Sequence, residues 1–186
     1  QELAEALCLP CYDKNLLTIA AEKSGFSEEM LRQAESRATN SLLYSLATSL
    51  GVGAFGPDTL SLYDKLYLAQ FDVIRQMADE GSCVIVGRCA DYVLKDEKNV
   101  LSLFLYAEKQ DRIRRGIELY HIDAKHAQET MERFDRKRAR FYEYYTDRKW
   151  GALSNYDMMI NTSRMGIDPC VRVLRDAARA MMDAED

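Results

Sequence analysis

The basic side chains of this chain are spaced in a way that suits phosphate chemistry. Arg112, Arg114 and Arg115 come first, then Arg133, Arg136, Lys137, Arg138 and Arg140, with Arg148 and Lys149 beyond. Arg136 and Arg140 are four residues apart, as are Arg133 and Lys137. On a helix such like-charged pairs repel, and a compact polyanion seated among them removes the repulsion. Glu132 and Asp135 offset part of the charge, and a run of this kind is also the ordinary look of a solvated helix face. A second candidate is Gly87-Arg88, just past an apolar run. An arginine at the C-terminal end of a strand in an open α/β sheet stands where ligands gather, and its planar fork matches two phosphate oxygens. The same residue could equally brace a structural ion pair.

Other motifs carry less. Cys8-Leu9-Pro10-Cys11 has redox spacing, but a thioredoxin-like pair follows a strand and opens a helix, whereas this one follows a helical stretch. His121 and His126 are five apart, do not share a helix face, and have no second cysteine pair to complete a zinc site. Gly51-Val52-Gly53-Ala54-Phe55-Gly56 is a formal dinucleotide fingerprint, the basis for an NAD-type oxidoreductase. That fingerprint needs a strand before it and a helix opening on its last glycine, whereas Leu42–Leu50 reads as helix and Pro57-Asp58 intervenes. A phosphate-cradling G-x-x-x-x-G-K-[ST] loop does not occur in the 186 residues. Phe141, Tyr142, Tyr144 and Tyr145 read as packing at a helix end, with Trp150 nearby, rather than as a base-stacking surface.

These side chains need elements to place them. Ser82–Gly87, Leu101–Tyr106 and Asp157–Asn161 are short apolar runs bounded by turn residues, the pattern of a parallel sheet covered on both faces, with a further extended stretch at Pro10–Tyr12. Helices fill the intervals: Gln1–Leu7, one capped by Ser27, one from Asp58 to Glu80, Asp111–Leu119, Asp123–Tyr145, and Gly166 to about Met182. In the helix ending at Glu80, Leu62, Leu66, Ala69, Val73 and Met77 share one face. Alternation of strand and helix argues for an α/β fold, and the absence of repeats or linkers for one domain over 1–186. With 47% hydrophobic and 30% charged residues the chain has the composition of a globular protein. A net charge of −5 argues against a nucleic-acid polymer as partner, and the apolar runs are too short to cross a bilayer. Five scattered cysteines and no visible signal peptide imply reduced thiols and a cytoplasmic location.

Taken in order, several segments resemble the nucleoside monophosphate kinases, most closely the bacterial cytidylate kinase-like proteins. They are Leu9–Lys14, Val84–Arg88, Asp135–Arg140 running into Tyr144-Tyr145-Thr146, Trp150-Gly151, and Asn155–Ser163. The resemblance implies a P-loop kinase-like, three-layer α/β/α fold with a helical monophosphate-binding region at about Asp13–Glu80 and an arginine-rich lid at about Gly116–Trp150. It implies transfer of the ATP γ-phosphoryl, with Mg²⁺, to a nucleoside monophosphate such as CMP. By the same resemblance Arg88, Asp13 and Arg133 belong to the acceptor side. Arg136 and Arg138 reach the transferred phosphoryl, and Asp135 orients them or meets the acceptor. Arg112, Asn161 and Thr162 lie toward ATP. Cys89 and Phe134 stand where true cytidylate kinases carry aspartates, so the acceptor base stays open. The resemblance also places a strand and a P-loop before the first helix, and these are expected upstream of Gln1. A non-catalytic nucleotide-binding or regulatory protein of the same fold is the alternative.

Overall fold

The computed structural model describes residues 1–13, 16, 18, 19 and 62–183, residues 62–66 by backbone alone. The helix expected from Ser27, the Asp58 cap and the Gly51–Gly56 run lie outside the described residues. The chain divides into two compact units: residues 1–11 together with 91–186, and residues 12–90.

The larger unit is built on two parallel strands. β3 (Leu103–Tyr106) pairs with β4 (Met158–Asn161) in the register Leu103↔Met158 to Tyr106↔Asn161. The ladder is set at its start by Asp157, whose side chain accepts the Ser102 N–H at 2.7 Å while its own N–H donates to the Ser102 carbonyl at 2.9 Å. Against the sheet lies α7 (Ile167–Asp183), which buries Cys170 and Leu174 on Ile160. Leu3 of α1 (Glu2–Leu7) joins Leu103 and Met158 around that cluster. Phe104 meets Trp150 and Tyr156 at ring-centroid distances of 5.3 and 5.0 Å. Gly151 lets the chain pass them: its φ is +72°, and a Cβ there would stand 3.2 Å from the Phe104 ring.

Two helices carry the arginines. α4 (Lys109–Tyr120) ends at His121 in the left-handed region, with the Ile122 N–H returning to the Gly116 carbonyl. α5 (Ala127–Thr146) follows after a turn in which Asp123 accepts the N–H groups of Lys125 and His126. That turn takes up Asp123–His126, so the helix starts four residues later than its sequence pattern suggests. Gly116 is buried where the helices approach, facing Ile122 and Met131.

In the smaller unit Tyr12 of β1 (Cys11–Tyr12) accepts the Val86 N–H at 2.8 Å just after β2 (Val84–Ile85). Before it, α2 (Leu62–Glu80) buries Val73 and Met77 as its periodicity requires, and also Ile74 and Gln70. The short α3 (Ala90–Val93) follows β2.

The fold is therefore mixed α/β, as expected, and is mostly helical with small sheets among the described residues. β2, β3 and β4 fall within the three apolar runs that the sequence marks, and β1 within the extended stretch at Pro10–Tyr12. The expected coverage on both faces is not met throughout: Leu105 is 55% and Tyr106 45% exposed. All five cysteines are free thiols. No described helix is long and apolar enough to cross a membrane.

Candidate functional site

The expected site residues fall into three groups. The first lies where α4 meets α5. Asp135 Oδ1 accepts hydrogen bonds from Arg112 Nη2 at 2.7 Å and Arg138 Nη1 at 2.9 Å. One carboxylate oxygen thus holds two guanidinium groups from two helices side by side. Each fork commits one N–H to it and keeps others for a ligand. The bond to Asp135 raises the Arg112 pKa above its usual value, so this charge is permanent. One turn away Glu132 accepts from Lys109 at 2.9 Å and Gln128 at 3.1 Å, with Arg136 at 3.9 Å. These bonds, Lys109 first, hold its carboxyl below the usual range. A cavity of about 190 Å³ opens between the rungs, lined by Lys109, Arg112, Glu132 and Asp135 among others.

This geometry amends the charge argument. Repulsion along the run is partly answered by the chain's own acids, Glu132 under Arg136 and Asp135 under Arg138. Both pairs have helical i,i+4 or i,i+3 spacing and were legible; the Arg112–Asp135 bond spans 23 residues and was not. Among the described residues Lys137 and Arg140 make no ion pair, and Arg133 is exposed, with its guanidinium 5.9 Å from the Phe134 ring centroid.

The second group sits at the C-terminal ends of β3 and β4. Asn161 caps α6 (Thr162–Met165), its side-chain oxygen accepting the N–H groups of Ser163 and Arg164, and its amide donates to Glu108 at 3.3 Å. Thr162 Oγ1 donates to the Tyr106 carbonyl at 3.2 Å, and the Glu108 N–H donates to Ser163 Oγ at 2.9 Å. Asn161 and Thr162 are thus fixed at the strand ends, the edge at which α/β folds hold ligands. Ser163 ends the Asn155–Ser163 segment that carries the resemblance, whereas Glu108 lies in no spaced motif and leaves no sequence signal.

Arg88 and Asp13 form the third group, within the smaller unit. Gly87, Arg88 and Cys89 take φ values of 73°, 57° and 57° in succession. Only the first is a glycine, so the other two cost about 1–2 kcal/mol each, a strain that native folds retain mostly at working sites. Burial pushes the Arg88 pKa down, and the nearby Asp13 carboxylate pushes it back. Both roles weighed for Arg88 thus survive: it has a carboxylate neighbour, and it stands past the strand end.

Sequence patterns missed one further polar cluster. Tyr142, 4% exposed, donates to Asp91 Oδ2 at 2.6 Å. Burial is the main cause of a raised Asp91 pKa and also raises the Tyr142 phenol. Among the described residues no three His, Cys, Asp or Glu side chains converge on a metal position.

The family model described as the cytidylate kinase-like family matches residues 1–164. No curated protein matches the chain. A solved structure, the crystal structure of an uncharacterized protein from Eubacterium ventriosum ATCC 27560, is similar with a TM-score of 0.69 at 24% identity. The match covers 96% of this chain and 87% of that one, a likeness of fold.

Proposed function

The chain belongs to the cytidylate kinase-like family, and from that premise we propose that it moves the γ-phosphoryl group of ATP to a nucleoside monophosphate, CMP or a relative of it. The observation that carries the proposal is the pair of guanidinium groups, Arg112 and Arg138, gathered on Asp135. Phosphoryl transfer asks little covalent chemistry of a protein. It asks for fixed positive charge around three equatorial oxygens and for reactants held in line. Two arginines held by one carboxylate provide that charge without having to be assembled during the reaction.

On this proposal Arg138 and Arg136 meet the transferred phosphoryl, and Arg112 meets the ATP phosphates. Asp135 orients Arg112 and Arg138. Asn161 and Thr162 border the adenine. Arg88 holds the acceptor phosphate through its fork, Asp13 stands near the acceptor nucleoside, and Arg133 adds charge on the acceptor side. Mg²⁺ enters as part of the ATP substrate, where it neutralises charge between the β- and γ-phosphates. Residues 13–80 serve as the acceptor-binding region and 116–150 as the lid. Phe134 has no acceptor atom for the cytosine amine, so base choice rests on other groups. Family membership favours neither a nicotinamide enzyme nor a regulatory protein.

The test is ADP formation by the full chain with ATP, Mg²⁺ and a panel of monophosphates. The proposal expects ADP to form in the presence of a pyrimidine monophosphate and to remain at background without one. ADP formation that ignores every monophosphate would overturn it.

A further inference from the structure

Tyr142 lies four residues after Arg138 and seven after Asp135, so the three side chains leave α5 on one stripe. Between Ala127 and Tyr142 no residue of that helix is buried; its buried side chains are Ala127, Tyr142 and Thr146. The arginine-bearing turns are therefore held by the half-buried Arg112–Asp135 bond, by contacts of Met131 near Gly116, and by more exposed ion pairs, which grip weakly. Tyr142 is held differently. Its hydroxyl donates to Asp91 at 2.6 Å. The Asp91 carboxylate is itself fixed by the backbone N–H groups of Asp91 and Tyr92. Thr146 Oγ1 locks the last turn, donating to the Tyr142 carbonyl at 2.6 Å and accepting the Arg148 N–H at 3.2 Å. The Arg148 guanidinium then lies 5.1 Å from the Tyr92 ring centroid, closing the cluster.

A helix held this way has a directional, buried anchor at Tyr142, which also hydrogen-bonds Tyr156, on the stripe that carries Arg138 and Asp135. Turning it by about 10° would move an arginine tip by more than about 1 Å, given the helix radius and the side-chain length. A misplacement of that size can cost about a hundredfold in rate. We propose that Asp91 and Tyr142 are positioning residues: their hydrogen bond fixes the rotational phase of α5 and so sets where Arg138 and Asp135 stand. The phase rests on geometry alone, and its consequence for rate rests on the kinase proposal above.

The two parts are tested separately. In the ligand-free protein, side-chain ¹⁵N resonances of Arg112 and Arg138 report whether both remain on Asp135. Tyr142→Phe keeps the ring and removes the donor. It should speed hydrogen exchange of these guanidinium groups about fivefold or more. Asp91→Asn keeps an acceptor oxygen and should stay within about twofold of the parent. If Tyr142→Phe does not fold, Asp91→Ala, which leaves the tyrosine packing in place, takes its position with the same expectation. Unchanged arginine signals in a folded variant with a lowered melting temperature would overturn the proposal, because a merely structural bond behaves that way. In the transfer assay Tyr142→Phe should lower kcat about tenfold or more, with the acceptor KM within about twofold and Asp91→Asn near the parent. An equal rise in KM with kcat unchanged would also overturn it. If the parent shows no transfer while the arginine signals respond, the kinase proposal fails and the anchor stands.

Discussion

Replacing Arg88 by alanine separates its two roles. Arg88 follows β2 with φ of 57°, half-buried, beside the Asp13 carboxylate. Arginine and alanine meet the same left-handed backbone cost, so the substitution isolates the guanidinium. A charge-assisted hydrogen bond to phosphate is worth about 1.5–3 kcal/mol, which predicts a loss of roughly 10- to 150-fold in affinity for CMP. The loss should fall in the upper part of that range, because Asp13 is then left to face the incoming phosphate without its cation. Arg88→Lys should recover only part, since it restores charge without the fork. Calorimetric titration with CMP and a melting curve on the same variant decide the matter. Unchanged affinity together with a melting temperature several degrees lower would refute the reasoning and make Arg88 a structural brace for Asp13.

Gly116→Ala should stabilise the protein by about 0.5–1 kcal/mol, because the position is helical and an added Cβ meets Ile122 and Met131 at 3.4 and 3.5 Å, ordinary contact. A melting temperature that falls instead would show that this contact cannot accommodate a methyl group. Asp91 has its pKa raised by burial, which outweighs the lowering effects of the Tyr142 hydrogen bond and the Arg148 charge, so its contribution is full below the usual carboxylate value and lost as pH rises through the raised one. The melting temperature of the parent relative to Asp91→Asn should therefore fall as pH rises above the usual carboxylate value, and parallel curves would contradict the burial argument. Residues 127–141 bury little besides Ala127, so their amides should exchange quickly without ligand and more slowly with ATP plus a monophosphate. Equal protection in both states would count against a lid.

What the sequence made legible follows from the range of each interaction. β3 and β4 are continuous apolar runs between turn residues, and burial of Ile160 and Leu103 against α7 is the physical cause of that pattern. The exposed Leu105 and Tyr106 carry the same pattern, so apolar character alone does not tell a covered face from an open one. Asp135 and Arg138 are three apart on one helix, so their pairing is written in the spacing. Arg112 reaches Asp135 only because a turn folds α4 back along α5, and Tyr142 reaches Asp91 across 51 residues. Neither contact leaves a periodic trace, so both had to come from the fold.

The destination of the γ-phosphoryl group of ATP tests a monophosphate kinase most directly. The full chain, given ATP labelled in its γ-phosphate with Mg²⁺ and unlabelled CMP, should yield label on the CMP, as labelled CDP, in step with ADP. Arg138→Ala should slow that transfer by roughly 10- to 150-fold, the worth of one charge-assisted bond to the phosphoryl group. Label released only as inorganic phosphate, or label retained in ATP while both nucleotides bind, would contradict the assignment of this chain as a monophosphate kinase.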